Sequence, residues 1–278
     1  MSVGAVEALP VAGTGLAFLD GKGDVAAKSP LQLFWRRFRR DRVALASLAF
    51  IAFLIIIAIA APVVVDVLGL PSPNTQNPNL TDAFGSPLGP SAAHPFGVDQ
   101  LGQDVMSRVI YGARVSLIVG IVGTGLATII GVALGVAAGF YRGWVDTALS
   151  RITDVVLSIP ILLLGLGIGA ACAVRGCLGG AIQPGLREIL PNLLAPVIVY
   201  ATMLIPLNIL LEAALSFLGV GIRPPTASWG QMIASATPIF NTAWWYMAFP
   251  GIALLLTVLA FNLLGDGLQD ALNPRTAR

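Results

Sequence analysis

Charge is scarce in this chain: 11% of its 278 residues are Asp, Glu, Lys or Arg, against roughly 25% in ordinary globular domains. Such a composition excludes a soluble enzyme. Histidine is scarcer still, with His94 alone, and the two cysteines, Cys172 and Cys177, have four residues between them. A structural zinc site takes four ligands, and His94 is far from the pair, so the cysteines read as small apolar filler. No acid–base pair, nucleophile or metal cluster can be assembled at a useful spacing, so neither a catalytic site nor a cofactor is expected. A phosphate loop is also missing. Gly21-Lys22 hints at one, but Gly15 is one residue too far upstream and Gly23 occupies the place of the required Ser or Thr. Gly165, Gly167 and Ala170 match a dinucleotide fingerprint in letters only, because they lie in an apolar run rather than after a soluble strand.

What the chain has instead is apolar length, with 56% hydrophobic residues. Uncharged runs cover 43–65, 115–141, 155–174, 189–211 and 224–265, the last narrowing to 243–265 once its polar, Pro-containing start is removed. A bilayer core about 30 Å thick needs roughly 20 apolar residues in a helix, so each run can span. The fold class is therefore all-α, a polytopic helical membrane protein with five clear spans. Arg36–Arg42 reads RRFRRDR, five arginines in seven residues. At the edge of a span such a cluster holds the N-terminus in the cytoplasm; nucleic acid is not the expected partner. About forty mixed residues precede the first run, so no cleavable signal is expected.

The connection 66–113 opens with turn-forming PSPNTQNPN and SPLGPS. After it, Asp99 is a plausible N-cap, and Leu101, Val105 and Val109 make one apolar stripe. These features predict a short helix at the outer interface leading into the second span. In that span Gly131, Gly135 and Gly139 recur every four residues, the spacing that lets two helix backbones approach closely in lipid. Arg142 and Arg151 flank Trp144 in a short cytoplasmic loop, and Trp244, Trp245 and Tyr246 read as an interfacial belt. The resulting division is a basic cytoplasmic tail over 1–42, a first span over 43–65, an extracytoplasmic loop over 66–113 and a transmembrane core over 114–278.

Five ordered blocks add up to a family. HPFGVDQLGQDVMSRVIYGARVSL, GFYRGWVDTALSRITDVVLSIPILLL, ILPNLLAPVIV, EAALSFLGVGIRPPTASWGQMI and FPGIALLLTVLAFNLLGDGLQDALNPR resemble the permease subunits of dipeptide and oligopeptide ABC importers, above all the dipeptide permease C type. The resemblance implies a type I ABC importer permease fold in the plasma (inner) membrane. It implies a second permease as heterodimer partner, two ATP-binding subunits and an extracytoplasmic peptide-binding protein. It also implies six spans with the C-terminus inside, so that one span, within 169–187, is shortened here. Nickel or another solute of the same superfamily remains open as substrate, as does a permease-like partner that assembles without coupling.

The family's coupling loop reads Glu-Ala-Ala, three residues, Gly, nine residues, then Ile-x-Leu-Pro. Glu212-Ala-Ala begins such a pattern, but Leu218 stands where the glycine belongs and no Leu-Pro follows. Glu212 is therefore not the coupling glutamate; the resemblance implies that SFLGVGIRPP, with Glu212, Pro224 and Pro225, lies at the outer face, where a helix-end charge reaches the interface. The coupling loop should end at Leu190-Pro191. No Glu-Ala-Ala precedes that pair, and Gly179 is one place off the family's glycine. Gly179, Arg187, Leu190 and Pro191 are the ATPase-coupling candidates; an ordinary helix start with Pro in its first turn explains Leu190-Pro191 equally well. Asp99, Asp104 and Arg108 in the outer block either touch a peptide's termini or, the preferred reading, cap and brace the interface helix.

Overall fold

The computed structural model describes residues 30–82, 86–141, 143–158 and 190–272. Among them the regular elements are helices: α1 (Pro30–Phe38), α2 (Arg42–Ile59), α3 (Ala61–Val67), α4 (Val105–Tyr141), α5 (Trp144–Ser158), α6 (Leu190–Phe217), α7 (Trp229–Ala236) and α8 (Trp244–Leu272). Two 3-10 turns, Pro78–Leu80 and Thr237–Ile239, join them. By length and composition α2, α4, α6 and α8 can each cross a membrane.

Local chemistry sets the helix boundaries. Asp41 caps α2, its Oδ1 accepting from the amides of Val43 at 2.9 Å and Ala44 at 3.0 Å, which satisfies donors that the first turn leaves orphaned. The 18 residues of α2 rise about 27 Å at 1.5 Å each. Pro62 then stands at the start of α3, where its missing N–H ends one helix and suits the first turn of the next. The expected short helix over 99–113 is not separate: α4 runs 37 residues without a break. The helix starts at Val105 rather than after Asp99 because Asp104 is the cap, its Oδ1 accepting from Ser107 N at 2.7 Å.

The long helices alternate in direction. Ser116 of α4 meets Glu212 of α6, and eight residues on Thr124 meets Asn208, so the two are antiparallel. Met203 of α6 lies against Gly265 of α8. At the other end of the bundle α8 touches α2 at Gly267, where an added Cβ would collide with the Ala44 methyl and press on the Asp41 carboxylate. That glycine brings the last turns of α8 to the start of α2, at the face carrying the Arg36–Arg42 cluster, hereafter the arginine face. The opposite, far face carries 68–104, the 218–228 loop, α7 and the first turn of α8.

Four of the helices long enough to cross lie among the described residues. α4 ends and α6 begins at the arginine face, and α8 returns to it, so the chain between α4 and α6 leaves from one face and comes back to the same face. The end of α8 lies at the same face as the arginine cluster. Residues 159–189, with most of the 155–174 run, the Gly165–Ala170 stretch and both cysteines, lie outside the described residues, as do residues 1–29.

The described core is thickest toward the far face. Val105, Val109, Ala113 and Leu117 form the buried stripe of α4, packed with Ile209, Trp229, Met232, Trp245 and Tyr246; Leu101, predicted to begin that stripe, is 52% exposed. The Phe96 and Phe249 rings stack with centroids 3.9 Å apart. Elsewhere large apolar side chains face outward, among them Ile56, Ile129, Leu134 and Leu255. That distribution is stable in hydrocarbon and costly in water.

Candidate functional site at the far face

Two buried polar networks organise the far face. The first centres on Glu212, which is 6% exposed near the end of α6. Its Oε1 accepts from the Ser228 hydroxyl at 2.8 Å and the Ser216 hydroxyl at 2.9 Å, and its Oε2 from the Ser116 hydroxyl at 3.3 Å. Each hydroxyl is used twice. Ser116 Oγ accepts from Trp229 N, Ser216 Oγ from Ile222 N and Ser228 Oγ from Gln231 N. One carboxylate thereby holds α4, α6, the 218–228 loop and the start of α7 in a single arrangement. A buried charge is tolerated when its lone pairs are filled in this way. Trp229 seals the network, its indole Nε1 donating to Val109 O at 3.0 Å.

Arg108 is the centre of the second network. Its guanidinium donates to Pro73 O at 3.2 Å, to Gln231 Oε1 at 3.3 Å and to Gln103 Oε1, and Nε lies 3.6 Å from Asp99 Oδ2. The planar fork suits this task because it reaches several acceptors at fixed angles. Asp99 Oδ1 accepts from the amides of Leu101 and Gln103, both at 2.9 Å. Burial pushes the Asp99 carboxyl up from its ordinary value of 3.8, against the downward pull of the Gln103 amide, the Arg108 charge and the Leu101 amide. His94 Nδ1 donates to Asp104 Oδ2 at 2.8 Å, and Ser107 Oγ donates to Pro71 O at 2.7 Å. Together these contacts strap the 71–104 segment onto the first turn of α4.

The structure sorts the candidate residues. Asp99, Asp104 and Arg108 are 3%, 0% and 2% exposed, and their partners are internal, which is the bracing geometry. Asp99 caps a turn rather than a helix. Glu212 does sit at the far-face end of its helix, but the expectation that it reaches the interface fails: three hydroxyl donors hold it inside. Pro224 and Pro225, joined by a cis peptide bond, are exposed at the tip of the loop that Glu212 anchors. Trp244 is 59% exposed, as a belt residue must be, whereas burial removes its neighbours from the belt. Trp245 is buried with Nε1 donating to Val98 O at 3.1 Å, and Tyr246 is 2% exposed. Gly131, Gly135 and Gly139 meet nothing within 4 Å of an added Cβ among the described residues; tight helix contacts run instead through Gly120 against Ile209, Gly230 against Ala213 and Gly267 against Ala44. Leu190 and Pro191 stand at the first turn of α6. Gly179 and Arg187 lie outside the described residues.

Sequence reasoning missed His94, Ser116, Ser216, Gln103 and Gln231 as network members. One signal was present: Ser228-Trp-Gly-Gln231 is a capping-box spacing, and Ser228 is the N-cap of α7.

Comparison with known proteins places the chain in a family. Residues 29–90 match the N-terminal TM domain of oligopeptide transport permease C, and residues 180–278 match the binding-protein-dependent transport system inner membrane component. A putative peptide transport system permease protein of Brucella abortus is 37% identical over 285 residues, covering 89% of this chain and 93% of the relative. A glutathione transport system permease protein of Pectobacterium atrosepticum is 36% identical over 297 residues, 94% of this chain and 96% of its own length. A dipeptide transport system permease protein of Alkalihalophilus pseudofirmus is 35% identical over 288 residues, 90% and 91%. These alignments are longer than the 278 residues available, so each relative carries residues without a counterpart here. Similarity of this extent means that the chain belongs to the inner-membrane permease components of binding-protein-dependent ABC transport systems, in the oligopeptide permease C group.

Proposed function

We propose that this permease imports dipeptides or oligopeptides by alternating access, as one half of a heterodimeric pathway. The carrying observation is the match of about nine-tenths of the chain to permeases whose names specify peptide, dipeptide or glutathione transport. Those names favour peptides over nickel. On this reading the arginine face is cytoplasmic, as the positive-inside rule requires of a cluster beside a span, and the far face meets an extracytoplasmic peptide-binding protein. ATP is hydrolysed by two partner ATPases, whose closure is transmitted through the segment ending at Leu190-Pro191, with Gly179 and Arg187 as its other contacts.

This chain's own contribution is mechanical. Glu212 and Arg108 turn the far-face ends of α4, α6 and α7 into one body, so displacement applied at the arginine face tilts helices instead of loosening the outer loops. A bistable permease needs such rigid parts if nucleotide binding is to shift its population. The glycine stripe at 131, 135 and 139, which no described residue fills, faces the second permease on this reading.

A second reading rests on a specific observation: the relatives carry residues that this chain lacks, and no Glu-Ala-Ala precedes Leu190-Pro191. On that reading the chain assembles but does not couple. Co-purification separates the two. With tagged chain, sister permease and ATPases expressed together, retention of ATPase supports the importer. Retention of the sister permease alone supports the uncoupled partner.

A further inference from the structure

A groove of about 370 Å³ opens between α2 and α8 at the arginine face, lined on α2 by Arg42, Val43, Ala46, Ser47 and Phe50. Leu256, Leu259, Ala260 and Leu263 line its α8 side. Its wall is hydrocarbon apart from two groups, the Ser47 hydroxyl and the Arg42 head. From Arg42 to Phe50 the helix rises about 12 Å, so the groove runs along the membrane normal from the basic end inward. It lies beside the Ala44–Gly267 contact, where small residues draw the helices together, while larger side chains on either side hold them apart.

Arg42 lines the groove, and the rest of the Arg36–Arg42 cluster precedes it directly in the chain. Arg36, Arg39, Arg40 and Arg42 are exposed, and none of these four forms an ion pair among the described residues. Asp41, the acid within the cluster, is committed to the α2 cap. Asp266 and Asp270 are exposed on the last turns of α8 and are not ion-paired with these arginines. Trp35 stacks under the Arg39 guanidinium, 4.8 Å from its ring centroid, and is 48% exposed, the position of an amphipathic ring at a headgroup layer.

We propose that this groove is a binding site for an anionic phospholipid of the leaflet at the arginine face. The acyl chain lies along Val43, Ala46, Phe50, Leu256 and Leu259, and the Ser47 hydroxyl donates to the ester region. The headgroup phosphate sits on Arg42 with Arg39 and Arg40. An apolar slot alone takes any lipid; the cationic mouth selects anionic headgroups, since each Lys or Arg near an anionic surface is worth about 1 kcal/mol. The bound lipid would brace the α2–α8 contact that carries both termini of the membrane core.

Native mass spectrometry of the full chain, purified with its sister permease, tests this. The detergent micelles are doped with equal dioleoyl phosphatidylglycerol and dioleoyl phosphatidylcholine. The site predicts retained phosphatidylglycerol in excess of phosphatidylcholine, with a loss of roughly five-fold per charge removed in the series Arg42→Gln, Arg39→Gln, Arg40→Gln. The corresponding Lys variants keep the preference. Ala260→Phe, which fills the slot, removes retained lipid of both kinds, and monodispersity on size exclusion together with retained sister permease establishes that these variants fold. Equal retention of the two lipids by the unaltered chain overturns the proposal. So does an unchanged preference in the Gln series, or cross-linking that finds residues 1–29 or the sister permease in the groove.

Discussion

Replacing Glu212 separates a clamp from a decorative charge. In Glu212→Ala three hydroxyls lose a charged acceptor at 2.8, 2.9 and 3.3 Å, all inside the protein. Hydrogen bonds to charged groups are worth about 1.5–3 kcal/mol each, and a donor left buried without a partner costs about 1–3 kcal/mol. The hydroxyls of Ser116 and Ser216 can turn back onto their own helix carbonyls, which recovers part of this. A net cost of about 3–5 kcal/mol follows, in the range found when one member of a buried charged cluster is removed. Glu212→Gln keeps Oε1 for Ser216 and Ser228 and sacrifices only the longest contact, so it costs about 1–2 kcal/mol. Denaturant titration of the purified chain in detergent, followed by Trp fluorescence, reads both values because Trp229 lies over the network. The three serines supply the second arm: once Ser228 is Ala, the further cost of Glu212→Ala shrinks, since the two share a bond. Equal stability of the Ala and Gln variants, or full additivity with Ser228→Ala, refutes the clamp.

Arg108→Met leaves Asp99, Gln103, Gln231 and Pro73 without their donor and destabilises by about 3–5 kcal/mol; Asp99→Asn, which retains an acceptor for the Leu101 and Gln103 amides, costs about 1–2 kcal/mol in the same titration. Because burial raises the folded pKa of Asp99 above 3.8, only the folded state holds the proton between those two values. Stability therefore falls as pH rises across that window and is flat above it; Asp99→Asn removes that slope, and an unchanged slope contradicts the assignment. Gly97→Ala meets both a φ of +74° and the Trp245 ring at 2.6 Å, so strain of about 1–2 kcal/mol adds to overpacking of about 1–3 kcal/mol. Trp245→Phe relieves part of it in the double variant. Gly267→Leu, against Ala44, lowers thermal stability of the isolated chain, whereas Gly135→Leu leaves it unchanged and reduces retention of the sister permease on an affinity column.

The fold was legible where composition repeats. Uncharged runs of twenty residues announce spans with little competition, and α2, α6 and α8 fall where those runs lie. Boundaries failed where a side-chain bond decides them: Asp99 and Asp104 are both acceptable caps in sequence, but Asp99 caps a turn through the Leu101 and Gln103 amides while Asp104, held by His94, accepts from Ser107 N. Glu212 shows the deeper limit. A carboxylate near a helix end in lipid has two solutions, escape to the interface or capture by donors. The donors here come from Ser116, Ser216 and Ser228, two of them distant in sequence. The glycine row at 131, 135 and 139 marks a face able to pack without naming the neighbour, and no described residue fills it. Gly120 and Gly267, which lie outside that row, do touch other helices, at Ile209 and Ala44.

The import claim is met most directly by peptide uptake. A strain lacking its own peptide permeases receives this chain with its sister permease, both ATPases and the binding protein, and accumulation of a labelled dipeptide is followed with and without an energy source. The account predicts energy-dependent accumulation, lost when the Leu190-Pro191 exit is replaced by Ala-Ala and unaffected by excess nickel. An assembled complex that retains ATPase yet accumulates no dipeptide or oligopeptide contradicts it.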